Sequence, residues 1–121
     1  AGAAEVIMWG TGKPRREFLH VDDLASAILR LLELDDPPDW VNVGCGEDVS
    51  IRELAEMVAE TVGFEGEITH DLSKPDGTPR KLMSADRLRE LGWSPSIELR
   101  DGLADAYNWF LQHEEQIRAS S

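Results

Sequence analysis

Two short cationic clusters hold the residues of this chain best suited to chemistry. Lys13, Arg15 and Arg16 follow the turn Trp9-Gly10-Thr11-Gly12, and Lys74, Arg80 and Lys81 lie on a second turn, Ser73 to Lys81. Guanidinium forks match phosphate oxygens and an indole offers a stacking face, so these residue types fit a flat, anionic ligand. Trp9 is a candidate contact to a sugar or a base. Arg16 and Lys81 would clamp a diphosphate from two sides if the fold brings the second turn beside the first. Asp76 and Gly77 supply the reversal in that second turn, and Arg80 and Lys81 leave it. Its two prolines and one glycine lower the entropic cost of holding one shape. The same residues are equally consistent with solvated turns in which Lys74, Arg80 and Lys81 pair with neighbouring acids.

Other chemistries lack their residues. The lone tyrosine, Tyr107, is followed four positions later by Leu111, so there is no Tyr-x-x-x-Lys pair, and no Gly-x-Ser-x-Gly elbow occurs. His20, His70 and His113 lie far apart with no short metal-ligand spacing, and read as packed or hydrogen-bonded histidines; no metal ligand and no catalytic residue is assigned. Gly10-Thr11-Gly12 runs into Lys-Pro and a strand, and Gly44-Cys45-Gly46 lacks a third glycine, so no dinucleotide fingerprint is present. Cys45, alone among apolar neighbours, reads as a buried small side chain, and a single cysteine fits a reducing cytoplasm. The net charge of −12 argues against nucleic-acid tracks and anionic membranes, both of which need a basic footprint. No apolar run approaches the roughly 20 residues of a membrane span. The start has neither Met nor a signal-peptide pattern, which points to a piece of something longer.

The elements that must position the cations follow from periodicity. Glu5 to Trp9 reads as a strand, and Glu17 to Val21 as another that forms a hairpin with its basic tip beside a helix start. Asp22 or Asp23 would cap that helix, which runs from Asp23 to Leu34 with Leu24, Ala27, Ile28, Leu31 and Leu32 on its buried stripe. Trp40 to Gly44 reads as a brief strand buried on both faces. Ser50 and Glu53 form a capping box for a helix to Val62, and Gly63 ends it. Glu67 to Asp71 is a strand and Arg80 to Met83 a short extended segment. Ser84 caps a short helix to Leu91. The last helix spans Leu99 to Ile117, with Leu103, Ala106, Tyr107, Phe110 and Leu111 inward. With 41% hydrophobic residues over 121 positions, a single α/β (α+β) domain of few short strands and about four helices is expected.

These segments resemble a known family. Val6 to Ala25, Val41 to Ala55, Ser73 to Leu82 and Leu91 to Pro95 look like the C-terminal part of GDP-L-fucose synthases, which belong to the extended short-chain dehydrogenases/reductases of the NAD-dependent epimerase/dehydratase superfamily. Phe18-Leu19-His20-Val21-Asp22-Asp23 recurs in many nucleotide-sugar epimerases and dehydratases; Ser73-Lys74-Pro75-Asp76-Gly77-Thr78-Pro79-Arg80-Lys81 is the discriminating motif.

The resemblance implies an NADP(H)-dependent enzyme that epimerises GDP-4-keto-6-deoxy-D-mannose through enolate chemistry and then reduces the keto carbon. It also implies that the cofactor fold, the Ser-Tyr-Lys triad and the Cys/His epimerase pair lie upstream of this segment; Cys45 and His20 do not match that pair. What carries over is substrate binding: Trp9 and Arg16 on the GDP-sugar, Arg16 at the diphosphate, and Lys81 in the nucleotide-binding loop that Asp76 and Arg80 share. Glu67 departs in charge from relatives with a basic residue there. Residues 1–121 are therefore expected to be a C-terminal substrate-binding domain without its Rossmann domain. Such a piece would bind no NADP and turn over no substrate alone, and would self-associate through uncovered apolar faces. Two alternatives remain, a piece of a UDP- or dTDP-sugar enzyme and a non-catalytic acidic adaptor.

Overall fold

A computed structural model describes residues 4–121. Strand β1 (Glu5–Trp9) pairs in parallel with β4 (Glu67–Asp71), from Glu5 opposite Glu67 to Trp9 opposite Asp71. A second, three-stranded sheet has the order β3-β2-β5, from Val49–Ser50, Arg15–Arg16 and Arg80–Lys81. Helix α1 (Val21–Leu32) follows β2, α2 (Ile51–Val62) follows β3, and α3 (Asp86–Glu90) and α4 (Leu99–Ala119) close the chain. The α/β character and the four helices match the expectation from sequence.

Helix α2 forms as its sequence dictates. Ser50 accepts from Glu53 N–H while the Glu53 carboxylate accepts from Ser50 N–H, and Gly63 ends the helix at φ 74°. Its apolar stripe faces Val6, Met8 and Ile68 of the first sheet across a cleft of about 380 Å³. The core lies elsewhere, where Ala27, Leu88 and Trp93 are buried with Leu19, Leu31, Val41 and Val43 packed on them. Trp93 Nε1 donates to Ser26 Oγ at 2.8 Å. Asp23 is 1% exposed yet charged, because Ser96 N–H, Ser96 Oγ–H and Ile97 N–H all donate to it at 3.0–3.2 Å. It ties the start of α1 to the segment leading into α4.

Five expectations change. The strand after the first turn is Arg15–Arg16 rather than Glu17 to Val21, because Glu17 instead turns its carboxylate to Gly46 N–H at 2.7 Å. No β1–β2 hairpin forms, since β1 pairs with β4 and β2 with β3 and β5. His20, not Asp22 or Asp23, caps α1, its Nδ1 accepting from Asp22 N–H at 3.0 Å. Trp40 to Gly44 forms no strand: no described segment pairs with it, and Trp40 is 81% exposed. The apolar stripes are only partly covered, with Leu24, Ile28 and Leu32 of α1 and Ala106, Phe110 and Leu111 of α4 exposed. Smaller shifts are that α3 runs only from Asp86 to Glu90, with Ala85 at the cap position and Asp86 N–H donating to Ser84 Oγ at 3.4 Å, and that Cys45 is half-buried with Sγ 3.1 Å from Glu47 O. Among the described residues, no helix is long and apolar enough to cross a membrane.

Candidate functional site

The two basic turns come together. Thr11 donates both its N–H and its hydroxyl to Asp76, at 2.8 and 2.7 Å, so one carboxylate holds the second turn against the first. Gly10 is required at this contact: its φ is +80°, and a Cβ there would overlap the Asp76 carboxylate. Gly12, at φ +75°, has Arg52 Cβ and the His70 ring within 3.0 Å of where a Cβ would stand. Further along, Arg15 N–H donates to Pro79 O at 2.9 Å and Arg16 Nη1 donates to Thr78 O at 2.6 Å.

This docking creates the β2–β5 ladder, with Arg15 opposite Arg80 and Arg16 opposite Lys81. Side chains alternate along a strand, so the four cations divide between the two faces. Arg15 and Arg80 share one face and converge on Asp48. Arg15 Nε donates to Asp48 Oδ1 at 3.1 Å and Arg80 Nε to Oδ2 at 2.6 Å. The Asp48 side chain is 4% exposed, and the Arg80 hydrogen bond, with that of Arg15, holds its carboxyl below the ordinary range. The Thr11 hydroxyl, then its N–H, does the same for Asp76.

Arg16 and Lys81 occupy the other face side by side. Neither has a carboxylate partner among the described residues, and only Nη1 of Arg16 is engaged, by Arg15 O and Thr78 O. A groove of about 680 Å³ opens next to Arg16, lined by the cations Arg16, Arg89 and Arg100, by the carboxylates Glu47, Asp48 and Glu98, and by Phe18 and Met57; Lys81 lies outside its lining. That volume is of small-ligand size. Trp9 stands at the end of β1, 73% exposed, with Lys74 Nζ 5.1 Å from its ring centre. Of the residues singled out from sequence, the structure thus brings Arg16 and Lys81 together as open cations. It gives Asp76 and Arg80 partners within the chain, and leaves Trp9 as an open aromatic face at the far end of the same turn.

Sequence reasoning missed Asp48, whose two partners lie 33 and 32 residues away. It also missed one histidine–carboxylate group. His20, Asp22 and Asp105 place ligand-type atoms within 4.8 Å of one another. Because His20 Nδ1 accepts the Asp22 N–H, its proton sits on Nε2, which donates to Asp105 Oδ2 at 2.9 Å. Both ring nitrogens are occupied, so the group works as a helix cap and tether between α1 and α4.

Residues 1–44 match the family described as NAD dependent epimerase/dehydratase. The chain is 57% identical over 112 residues to GDP-L-fucose synthase 1 of Arabidopsis thaliana, covering 93% of this chain and 35% of that protein. It is 47% identical over 125 residues to GDP-L-fucose synthase of Escherichia coli (strain K12), covering 96% and 39%. The chain is thus similar over most of its length to GDP-L-fucose synthases, and over residues 1–44 to the NAD dependent epimerase/dehydratase family. A solved structure of this kind, MlghC, a GDP-mannoheptose C4 reductase from Campylobacter jejuni with NADP bound, superposes with a TM-score of 0.77 and 42% identity over 88% of this chain and 35% of that one. The chain spans about a third of the length of these epimerase/dehydratase relatives.

The cofactor seen in that relative finds no pyrophosphate cradle among the described residues. Gly10 and Gly12 are filled in by Asp76, Arg52 and His70, and their turn leads to β2 rather than to a helix. The turn before α2 is also closed, with Gly44 against the Glu17 carboxylate and the helix start capped by Ser50. A dinucleotide pyrophosphate needs a glycine turn with free N–H groups at a helix start. The described residues do not provide one.

Proposed function

We propose that this chain is the GDP-sugar-binding part of a GDP-L-fucose synthase-like epimerase/reductase, with hydride chemistry supplied by a cofactor domain outside residues 1–121. The observation that carries the reading is the in-register pairing of Arg16 with Lys81 on adjacent strands, with the groove opening at Arg16. Two cations on adjacent strands suit the two phosphates of a nucleoside diphosphate, and they sit in a chain whose net charge of −12 otherwise repels anions. Trp9 gives the ligand a stacking surface at the other end of the turn. Binding fixes the diphosphate and thereby the sugar, while the proton and hydride transfers fall to groups outside this chain. The apolar faces of α1 and the unpaired Trp40 to Val43 stretch support a covering domain in the parent protein. The chain alone then self-associates and does not turn over substrate.

Calorimetric titration with GDP, UDP and dTDP tests this. GDP binding that weakens in both Arg16→Ala and Lys81→Ala is expected. Preference for UDP or dTDP would move the chain to another nucleotide-sugar enzyme. No binding of any of the three would favour a protein-binding adaptor.

A further inference from the structure

We infer that Asp48, at the edge of the groove, is a positioning residue of this site: it clamps Arg15 and Arg80 across the β2–β5 ladder and so keeps Arg16 and Lys81 in register on the alternate face. The inference rests on the reading of that alternate face as a diphosphate site. The β2–β5 ladder is only two residues long on each side, too short to fix its own register. A slip of one residue would place Lys81 beside Arg15 and carry it to the face of Arg15. Asp48 opposes that slip directly. Its carboxylate bridges the two strands: Oδ1 accepts from Arg15 Nε at 3.1 Å and from Arg80 Nη2 at 3.4 Å, Oδ2 accepts from Arg80 Nε at 2.6 Å, and Arg15 Nη2 also donates to Asp48 O at 3.1 Å. Asp48 immediately precedes β3, which pairs antiparallel with β2, so the clamp spans all three strands of the sheet. Arg15 and Arg80 accordingly serve the site through Asp48, and Arg80 acts on the ligand indirectly.

The sign of one mutational effect separates this role from that of a nearby charge. Removing a negative charge close to an anion site strengthens anion binding by Coulomb attraction alone. Removing the clamp weakens it, because the two cations no longer face the ligand together. Asp48→Asn is expected to weaken GDP binding about tenfold, the loss typical of one misplaced charge-assisted contact. Asp48→Glu, which keeps the carboxylate, should recover most of that loss. In an Arg16→Ala, Lys81→Ala background, Asp48→Asn should have little further effect, since its action runs through those two residues. A ligand-free readout accompanies the titration. The Arg15 N–H bonded to Pro79 O should lose hydrogen-exchange protection in Asp48→Asn, while the amides of α2 keep theirs. GDP binding that is unchanged or tighter in Asp48→Asn, with the α2 amides still protected, overturns the inference and leaves the proposed function standing. Unchanged protection at Arg15 overturns it also if Asp48→Asn reports global unfolding in no other probe. A wild-type chain that binds no GDP overturns the proposed function and this inference with it.

Discussion

Replacing Asp23 by Asn should cost more stability than any other single polar change in the core. The carboxylate is 1% exposed and accepts three hydrogen bonds, from Ser96 N–H, Ser96 Oγ–H and Ile97 N–H. A charged hydrogen bond contributes about 1.5–3 kcal/mol, and a buried donor left without a partner costs about 1–3 kcal/mol. Asparagine keeps one acceptor oxygen and turns an NH₂ group toward donors, so at least one bond is lost and one donor is opposed. A loss of about 3 kcal/mol is expected, a large fraction of the roughly 5–15 kcal/mol typical of a domain. Burial alone would raise the pKa of this carboxyl, but the hydrogen bonds of Ile97 and Ser96 outweigh it and hold the value below the ordinary one. The stabilisation is therefore fully present above the unfolded-state pKa of about 3.9 and is lost as pH falls through the lower folded-state value. Urea unfolding from pH 7 downward should show the wild-type chain well above Asp23→Asn at neutrality, with the gap closing in acid. A gap of less than about 1 kcal/mol at pH 7, or one that stays constant into acid, would refute the reasoning.

Three further outcomes are expected. Gly10→Ala should weaken GDP binding and destabilise the chain by about 1–3 kcal/mol, read by titration and urea unfolding, because it must adopt φ +80° against Asp76. Ser50→Ala removes the acceptor for Glu53 N–H and should lower stability by about 1 kcal/mol in the same unfolding assay, without changing GDP affinity. Sedimentation velocity should show concentration-dependent self-association through exposed Leu24, Ile28, Leu29 and Leu32 of α1, reduced by a charge placed on that face, as in Leu29→Glu; a monodisperse monomer would count against covered faces in the parent protein.

Local signals in the sequence were reliable where the physics is local. The Ser50–Glu53 capping box, the αL Gly63 and the strands Glu5–Trp9 and Glu67–Asp71 needed only nearest neighbours and periodicity, and each formed as expected. The meeting of the two basic turns was foreseen only as a condition, since it depends on contacts between residues 65 positions apart. Asp48 was invisible for the same reason: an aspartate in a turn has no local mark that two distant guanidinia will close on it. His20 as a cap was missed because two aspartates beside it are the commoner choice. Trp40 to Gly44 has strand composition, but composition supplies no partner, and a strand without a ladder does not form. The α1 and α4 stripes are apolar as their periodicity predicts, but periodicity does not say what covers a stripe, and Leu24, Ile28, Leu32, Phe110 and Leu111 stand exposed among the described residues.

Arg16 and Lys81 are proposed to form one diphosphate-binding face. Calorimetric titration of GDP into the wild-type chain, Arg16→Ala, Lys81→Ala and the double variant measures that directly. GDP should bind ahead of UDP and dTDP and be weakened by each single change, with the two effects coupled rather than additive. GDP affinity unaffected by either change would contradict it.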